Sequence, residues 1–108
     1  MKLSPSLRQK KRYIVFEIIS PTPFTPQDIE AEVTLALQAF LGHLGIAKSS
    51  PMLLKDKTQH NKFILKINHN WVDQAKSAII LIKKIKNTPL ITKSIITSGS
   101  LKTASKYI

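Results

Sequence analysis

Apolar and mixed positions alternate through "RYIVFEIIS", residues 12–20: Ile14, Phe16 and Ile18 fall on one side, Tyr13, Val15, Glu17 and Ile19 on the other. A period of two predicts a strand with one buried face and one partly wet face. The period then changes. Ile29, Val33, Ala36, Leu37, Phe40, Leu41 and Leu44 recur at helical spacing behind Thr25 as cap, Pro26 at the first helical position and Asp28 three residues after the cap. Gly42 or Gly45 is the expected stop. "PMLLKDK" reads as a strand from Pro51, held to an edge because proline cannot donate to a ladder. "TQHN" reads as a hairpin turn. "KFILKIN", residues 62–68, alternates again, with Phe63, Leu65 and Ile67 on one side and Lys62, Ile64 and Lys66 on the other.

A second helical stripe follows, made of Val72, Ala75, Ala78, Ile79, Ile82 and Ile85, with Asn70 as cap and Asp73 three residues on. Lys83, Lys84 and Lys86 are expected in its last turn, where cations suit the helix dipole. Asn87-Thr88-Pro89 breaks it, and the β-branched "LITKSIITS", residues 90–98, predicts a last strand. Ser100 then caps a short C-terminal helix. The order β-α-β-β-α-β plus a tail is the split βαβ pattern of a ferredoxin-like α+β sandwich. It implies a four-stranded antiparallel sheet with both helices on one face and the second strand at an edge. Residues 1–11, with Lys2, Arg8, Lys10 and Lys11 and no acid, form a basic arm, and residues 12–108 form one domain.

Charge changes the picture more than composition does. Seventeen Lys and Arg face six Asp and Glu, a formal +11 on 108 residues. From residue 58 onward, nine lysines stand against Asp73 alone. Such an excess attracts polyanions; nucleic acid is the leading partner class and an anionic membrane surface the second. The longest apolar run is Ala78 to Ile82, far short of a membrane span. The start "MKLSPSLRQKKR" has no apolar core of a secretory signal, and there is no cysteine. The expectation is a cytoplasmic protein with no membrane partner.

Little points to catalysis. His43, His60 and His69 share neither a helical face nor metal-ligand spacing, and read as surface histidines. Three scattered glycines cannot build a phosphate-cradling loop, and no carboxylate pair stands out for metal-assisted hydrolysis. A small phosphatase on this fold would need an anion loop with Arg and Asn, whereas Arg8 and Arg12 lie in or beside the arm. Reading of single strands by stacking is poorly served, because Tyr13 is the one aromatic expected on the face away from the helices. The lysines favour phosphate and shape recognition. Arg8, Lys10, Lys11, Arg12, Lys62, Lys66, Lys83, Lys84, Lys86, Lys102 and Lys106 are the candidate RNA contacts. The first helix carries Asp28, Glu30 and Glu32 and no base, so it is a poor RNA surface and a candidate protein-docking face.

Three stretches together carry a family resemblance: "RYIVFEI" at the start, "AKSAIILIKKI" in the second helix and "TSGSLKTASKYI" at the end. They resemble the archaeal and eukaryal family of small basic ribonuclease P subunits, called protein component 2 in archaea. Arg12, Tyr13, Phe16 and Glu17 match its opening, and Ser98, Gly99, Ser100, Leu101 and Lys102 its ending, with Ser100 in place of Thr. Lys66 stands where the family often has Arg, and residues 46–61 match nothing in it. The resemblance implies an accessory subunit of the ribonucleoprotein that removes the 5′ leader of precursor tRNA. The RNA subunit would hold the catalytic Mg²⁺ ions, and this chain would bind no cofactor. Its partners would be ribonuclease P RNA, precursor tRNA indirectly, and the barrel-like protein component 3. An isolated copy could pair with itself through a sheet edge or an orphaned docking face. A basic ferredoxin-like module of ribosomal or RNA-chaperone type is the alternative. Gly99 is expected to permit a sharp turn, and the C-terminal helix to pack Leu101 with Tyr107 or Ile108 while presenting Lys102 and Lys106 to RNA.

Overall fold

A computed structural model describes residues 10–58 and 61–108. Arg8, His60, most of the basic arm and half of the "TQHN" turn lie outside the described residues. The elements run β1 (Lys11–Ile19), α1 (Pro26–Ser49), β2 (Met52–Leu53), β3 (Lys62–Asn68), α2 (Val72–Ile80), β4 (Lys84–Ile85), β5 (Thr88–Pro89), β6 (Ile91–Ser98) and α3 (Leu101–Ser105). Four strands form an antiparallel sheet in the order β2-β3-β1-β6, the ferredoxin-like arrangement with the short β2 at an edge. The strand begins one residue before its expected start, at the last residue assigned to the arm, because Lys11 already pairs with Asn68.

The face toward α1 and α2 is the main core. Ile14, Phe16 and Ile18 of β1 and Phe63, Leu65 and Ile67 of β3 meet Ile29, Val33 and Leu37 of α1 and Ala75, Ala78 and Ile79 of α2. Phe16 and Phe63 are cross-strand partners, and their rings stack with centroids 5.2 Å apart. Each such side chain, fully buried, contributes roughly 1.5–3 kcal/mol. These are the residues whose alternation and helical spacing nominate them in the sequence.

The elements between β1 and α2 depart from expectation in three places. Thr25 Oγ1 accepts the Asp28 N–H at 3.2 Å, as expected of the cap. At the other end, Gly42 has φ 71° and ψ 177°, a conformation open to glycine alone, and it interrupts the helix where a stop was expected. A second helical stretch then runs on to Ser49. Residues 51–57 are not one strand: after the two residues of β2, Lys55–Lys57 form a 3-10 turn. Another 3-10 turn, His69–Trp71, precedes α2, so Trp71 and not Asn70 occupies its cap position.

The largest difference follows α2. The helix stops at Ile80, and Lys84–Ile85 pairs with Thr88–Pro89 in a two-residue hairpin. Lys86 (φ 50°) and Asn87 (φ 66°) both adopt left-handed conformations at its tip, the geometry of a tight hairpin turn. Lys84 and Lys86 therefore lie on the hairpin and Lys83 just before it, beyond the last turn of α2. Ile85 still enters the core, 2% exposed, which is why a helical stripe fitted it.

The face of the sheet away from α1 and α2 is roofed. After β6, the chain turns at Gly99 and α3 folds back over it. Val15, Ile64 and Ala104 are fully buried there, flanked by Tyr13, Leu54, Ile95, Ile96, Leu101 and Ile108. A bulge between Val15 and Phe16 opposite β6 inserts Ile95, so Ile95 and Ile96 both reach this second core. Tyr107 stays 40% exposed; of the expected packing residues it is Leu101 and Ile108, with Ala104, that close the roof.

Candidate nucleic-acid interface

Strand register sorts the cations of the roofed face into rows. Tyr13 stands between Lys66 and Ser98, Val15 between Ile64 and Ile96, and Glu17 between Lys62 and Lys93. The apolar middle row lies under α3, so polar groups remain at the two ends. Lys66, which also faces Met52 of β2, belongs to the end where β1 begins and β3 and β6 finish. Lys62 belongs to the opposite end, beside Glu17. Lys93, not singled out in the sequence, joins it through the pairing of β6 with β1. Opposed charges on adjacent strands stabilise such rows by about 0.2–1 kcal/mol per pair.

The Lys66 end gathers the greatest number of candidates. Lys10 is exposed just before β1, and its carbonyl accepts the His69 N–H at 2.8 Å. The Lys11 ammonium donates to Oδ1 of the buried Asn68, whose Nδ2 donates to the Lys48 carbonyl at 2.6 Å. Lys11 therefore helps to tie β1 and β3 to the end of α1, a structural duty absent from its expected role. Arg12 Nη1 donates to the Lys11 carbonyl at 3.1 Å. Its guanidinium lies against Gly99: a Cβ added there would stand 3.3 Å from Nη1 and 3.8 Å from Cζ. Gly99 is not in the left-handed region, which among the described glycines only Gly42 enters. The absence of a side chain at Gly99 makes room for Arg12, and this replaces the expected conformational reason.

The serines around Gly99 fix the turn. Ser98 Oγ accepts the Ser100 N–H at 3.1 Å, and Ser100 Oγ caps α3 by accepting the Thr103 N–H at 3.5 Å. On α3, Leu101 and Ala104 point inward, leaving Lys102 and Lys106 exposed on its outer side.

The acidic helix is not a free acidic face. Asp28 Oδ1 receives the Lys86 ammonium at 2.9 Å, and Glu30 pairs with Lys55 at 3.2 Å. The hydrogen bond from Lys86 holds the Asp28 carboxyl below the usual aspartate value; partial desolvation opposes this, and the hydrogen bonds at Thr25 add to it. A candidate RNA lysine and a candidate docking acid thus neutralise each other. Glu32 instead borders an apolar groove of about 500 Å³ with Leu35, Phe40, Leu81, Lys83 and Lys84. Leu35 and Leu81 are about three-fifths exposed at 59% and 60%. Exposed apolar surface of this kind marks interaction sites. Periodicity could have found it, because Leu35 and Phe40 extend the apolar stripe of α1 beyond the width one core contact needs.

Among the described residues no group of three His, Cys, Asp or Glu is placed to hold a metal ion, and no helix is long and apolar enough to cross a membrane. His43 and His69 are exposed. Trp71 is partly buried against the main core.

Known proteins resemble this chain in sequence, and one solved structure resembles it in fold. Ribonuclease P protein component 2 of Pyrococcus furiosus is 34% identical over 100 residues, 93% of this chain and 83% of that protein. The protein of the same name from Thermococcus kodakarensis is 30% identical over the same shares. That of Methanococcus maripaludis is 35% identical over 93% of this chain and 75% of its own length. In fold, a chain in the cryo-EM structure of yeast ribonuclease MRP matches with a TM-score of 0.66 at 17% identity, covering 87% of this chain and 77% of that one. The model of the Rpp14/Pop5 family matches residues 12–108, from the arginine that lies on Gly99 through the roofing helix, and the chain belongs to that family.

Proposed function

We propose that this chain is a protein component of ribonuclease P that binds and supports the RNA subunit in 5′ maturation of precursor tRNA. The observation that carries the reading is the family match over 12–108 on a chain of net charge +11. In this reading the RNA subunit supplies the Mg²⁺ ions and the bond-breaking chemistry. The cations of this chain offset phosphate repulsion where RNA strands crowd together, and so lower the Mg²⁺ needed to hold the active RNA fold. Sequence-independent contacts of this kind position an RNA without reading its bases.

The barrel-like protein component 3 is the proposed protein partner, seated in the groove between α1 and the segment after α2. Leu35, Phe40 and Leu81 offer it apolar area, and Lys83 and Lys84 at the rim suit a partner with acidic residues flanking an apolar ridge. The docking face is then apolar with a basic rim, and Glu32 of the acidic helix borders it.

Reconstitution tests the reading. The full chain, its partner and the ribonuclease P RNA of the same organism are combined, and leader removal is followed across a Mg²⁺ series. The expected result is cleavage at lower Mg²⁺ than the RNA alone requires, with no cleavage by the proteins without RNA. An unchanged Mg²⁺ dependence rejects the supporting role, and cleavage by the chain alone rejects the placement of the chemistry in the RNA.

A further inference from the structure

Arg12 is the one arginine among the described residues, and its setting differs from that of the lysines. The side chain is half-buried; Nη1 donates to the Lys11 carbonyl, and the guanidinium lies beside Gly99. The Gly99 turn is itself held by the Ser98 hydroxyl and by the cap that Ser100 makes to α3. Yet among the described residues the guanidinium has no carboxylate partner. The ion pairs among the described residues are Lys55 with Glu30 and Lys86 with Asp28. A guanidinium carries five N–H donors in a rigid plane. The bond to Lys11 uses one of these, and the others meet no acceptor among the described residues.

A guanidinium that is half-buried beside backbone and has spare donors is completed best by an anion. An exposed lysine instead stays hydrated on a mobile stem. The planar fork also matches two oxygens of a phosphodiester, which an ammonium cannot do. Lys10 stands exposed two residues before Arg12, so a second cation borders the same strand end. We infer that Arg12, laid against Gly99, is a built binding site for a phosphodiester of the RNA backbone, oriented by the Ser98–Gly99–Ser100 turn. The inference rests on the RNA-binding reading above and names the point where geometry, beyond bulk charge, contributes.

Substitutions that keep the charge separate geometry from electrostatics. Binding of the full chain to ribonuclease P RNA is measured at several salt concentrations for the unaltered protein and for Arg12→Lys, Gly99→Ala, Arg12→Gln and Lys57→Gln. Lys57 is exposed in the 3-10 turn after β2 and serves as a lone surface charge. Arg12→Lys and Gly99→Ala are expected to weaken binding about tenfold at unchanged net charge, the scale of one charge-assisted hydrogen bond. Arg12→Gln should weaken it at least as much and lower the salt slope by about one, while Lys57→Gln should change affinity about twofold or less. If Gly99→Ala lowers the melting temperature, Arg12→Lys, which leaves the turn intact, decides. Arg12→Lys binding as tightly as the unaltered chain, or losing no more than Lys57→Gln, overturns the inference while the RNA-binding function stands. An unaltered chain that fails to bind the RNA overturns the function and the inference together.

Discussion

At the scale of single residues, three positions show how local chemistry overrides a pattern. Gly42 and Gly99 are both glycines near helix ends, yet one takes backbone angles open to glycine alone and the other leaves room for a neighbouring guanidinium. Asp28 serves as first-turn acid, cap partner and counter-ion of Lys86 at once. Because its folded-state carboxyl titrates below the ordinary aspartate value, the associated stability is present above that value. It is lost as pH falls below about 4. Asp28→Asn should therefore flatten part of the loss of melting temperature in an acid titration and leave the curve above neutrality unchanged in shape. Identical acid limbs would show that the pair has no effect on stability. Thr97 offers a second test. Its Oγ1 is buried, and it finds no hydrogen-bond partner among the described residues. Thr97→Val keeps the shape and removes the stranded hydroxyl, so it should stabilise the fold by about 1 kcal/mol. That corresponds to a rise of roughly 4–8 °C in Tm for a domain of this size. A fall in Tm would mean that the hydroxyl is satisfied in solution.

At the scale of elements, α3 has the largest effect on the account. Five residues of isolated helix have no stability of their own. Here Leu101, Ala104 and Ile108 cover Val15 and Ile64, which would otherwise leave an apolar strip in the middle of the sheet. Removing residues 99–108 should cost roughly 3 kcal/mol, taken as the loss of one to two buried aliphatic side chains. It should also expose surface that binds a hydrophobic dye. A truncated chain with unchanged melting temperature would contradict the roof. The elements also show what the sequence can disclose. β1 and β3 were legible from a period of two with one wholly apolar face, and β6 from its β-branched residues. The first two-thirds of α1 were legible from the Thr25–Pro26–Asp28 start. The segment 81–89 was not, because Ile79, Ile82 and Ile85 satisfy a helical period while the chain leaves the helix at Leu81 and returns Ile85 to the core from a hairpin. Lys86-Asn87, in left-handed conformations, are the local signal that outweighs the stripe. For the candidate site, the sequence supplied the cations but not their partners. That Lys86 is held by Asp28, Lys55 by Glu30 and Lys11 by Asn68 depends on contacts up to 58 residues apart, which no local pattern encodes.

At the scale of the whole molecule, the charge separates into cations with internal partners and cations without. Lys11, Lys55 and Lys86 are engaged within the fold, while Lys10, Lys83, Lys84, Lys102 and Lys106 are exposed and Arg12 is held half-buried. The groove between α1 and α2 sits apart from the Arg12 end of the sheet by composition as well as by position, being apolar where that end is basic. One small domain can then hold RNA at one surface and a protein at another, which is what a supporting subunit of a ribonucleoprotein requires. The measurement that tests this most directly is recovery of the tagged full chain from its own cells at moderate salt, with sequencing of the RNA it retains. The account predicts selective enrichment of ribonuclease P RNA, with retention that falls as salt rises but remains selective. Retention of ribosomal RNA, or of a mixture lost uniformly with salt, would contradict it.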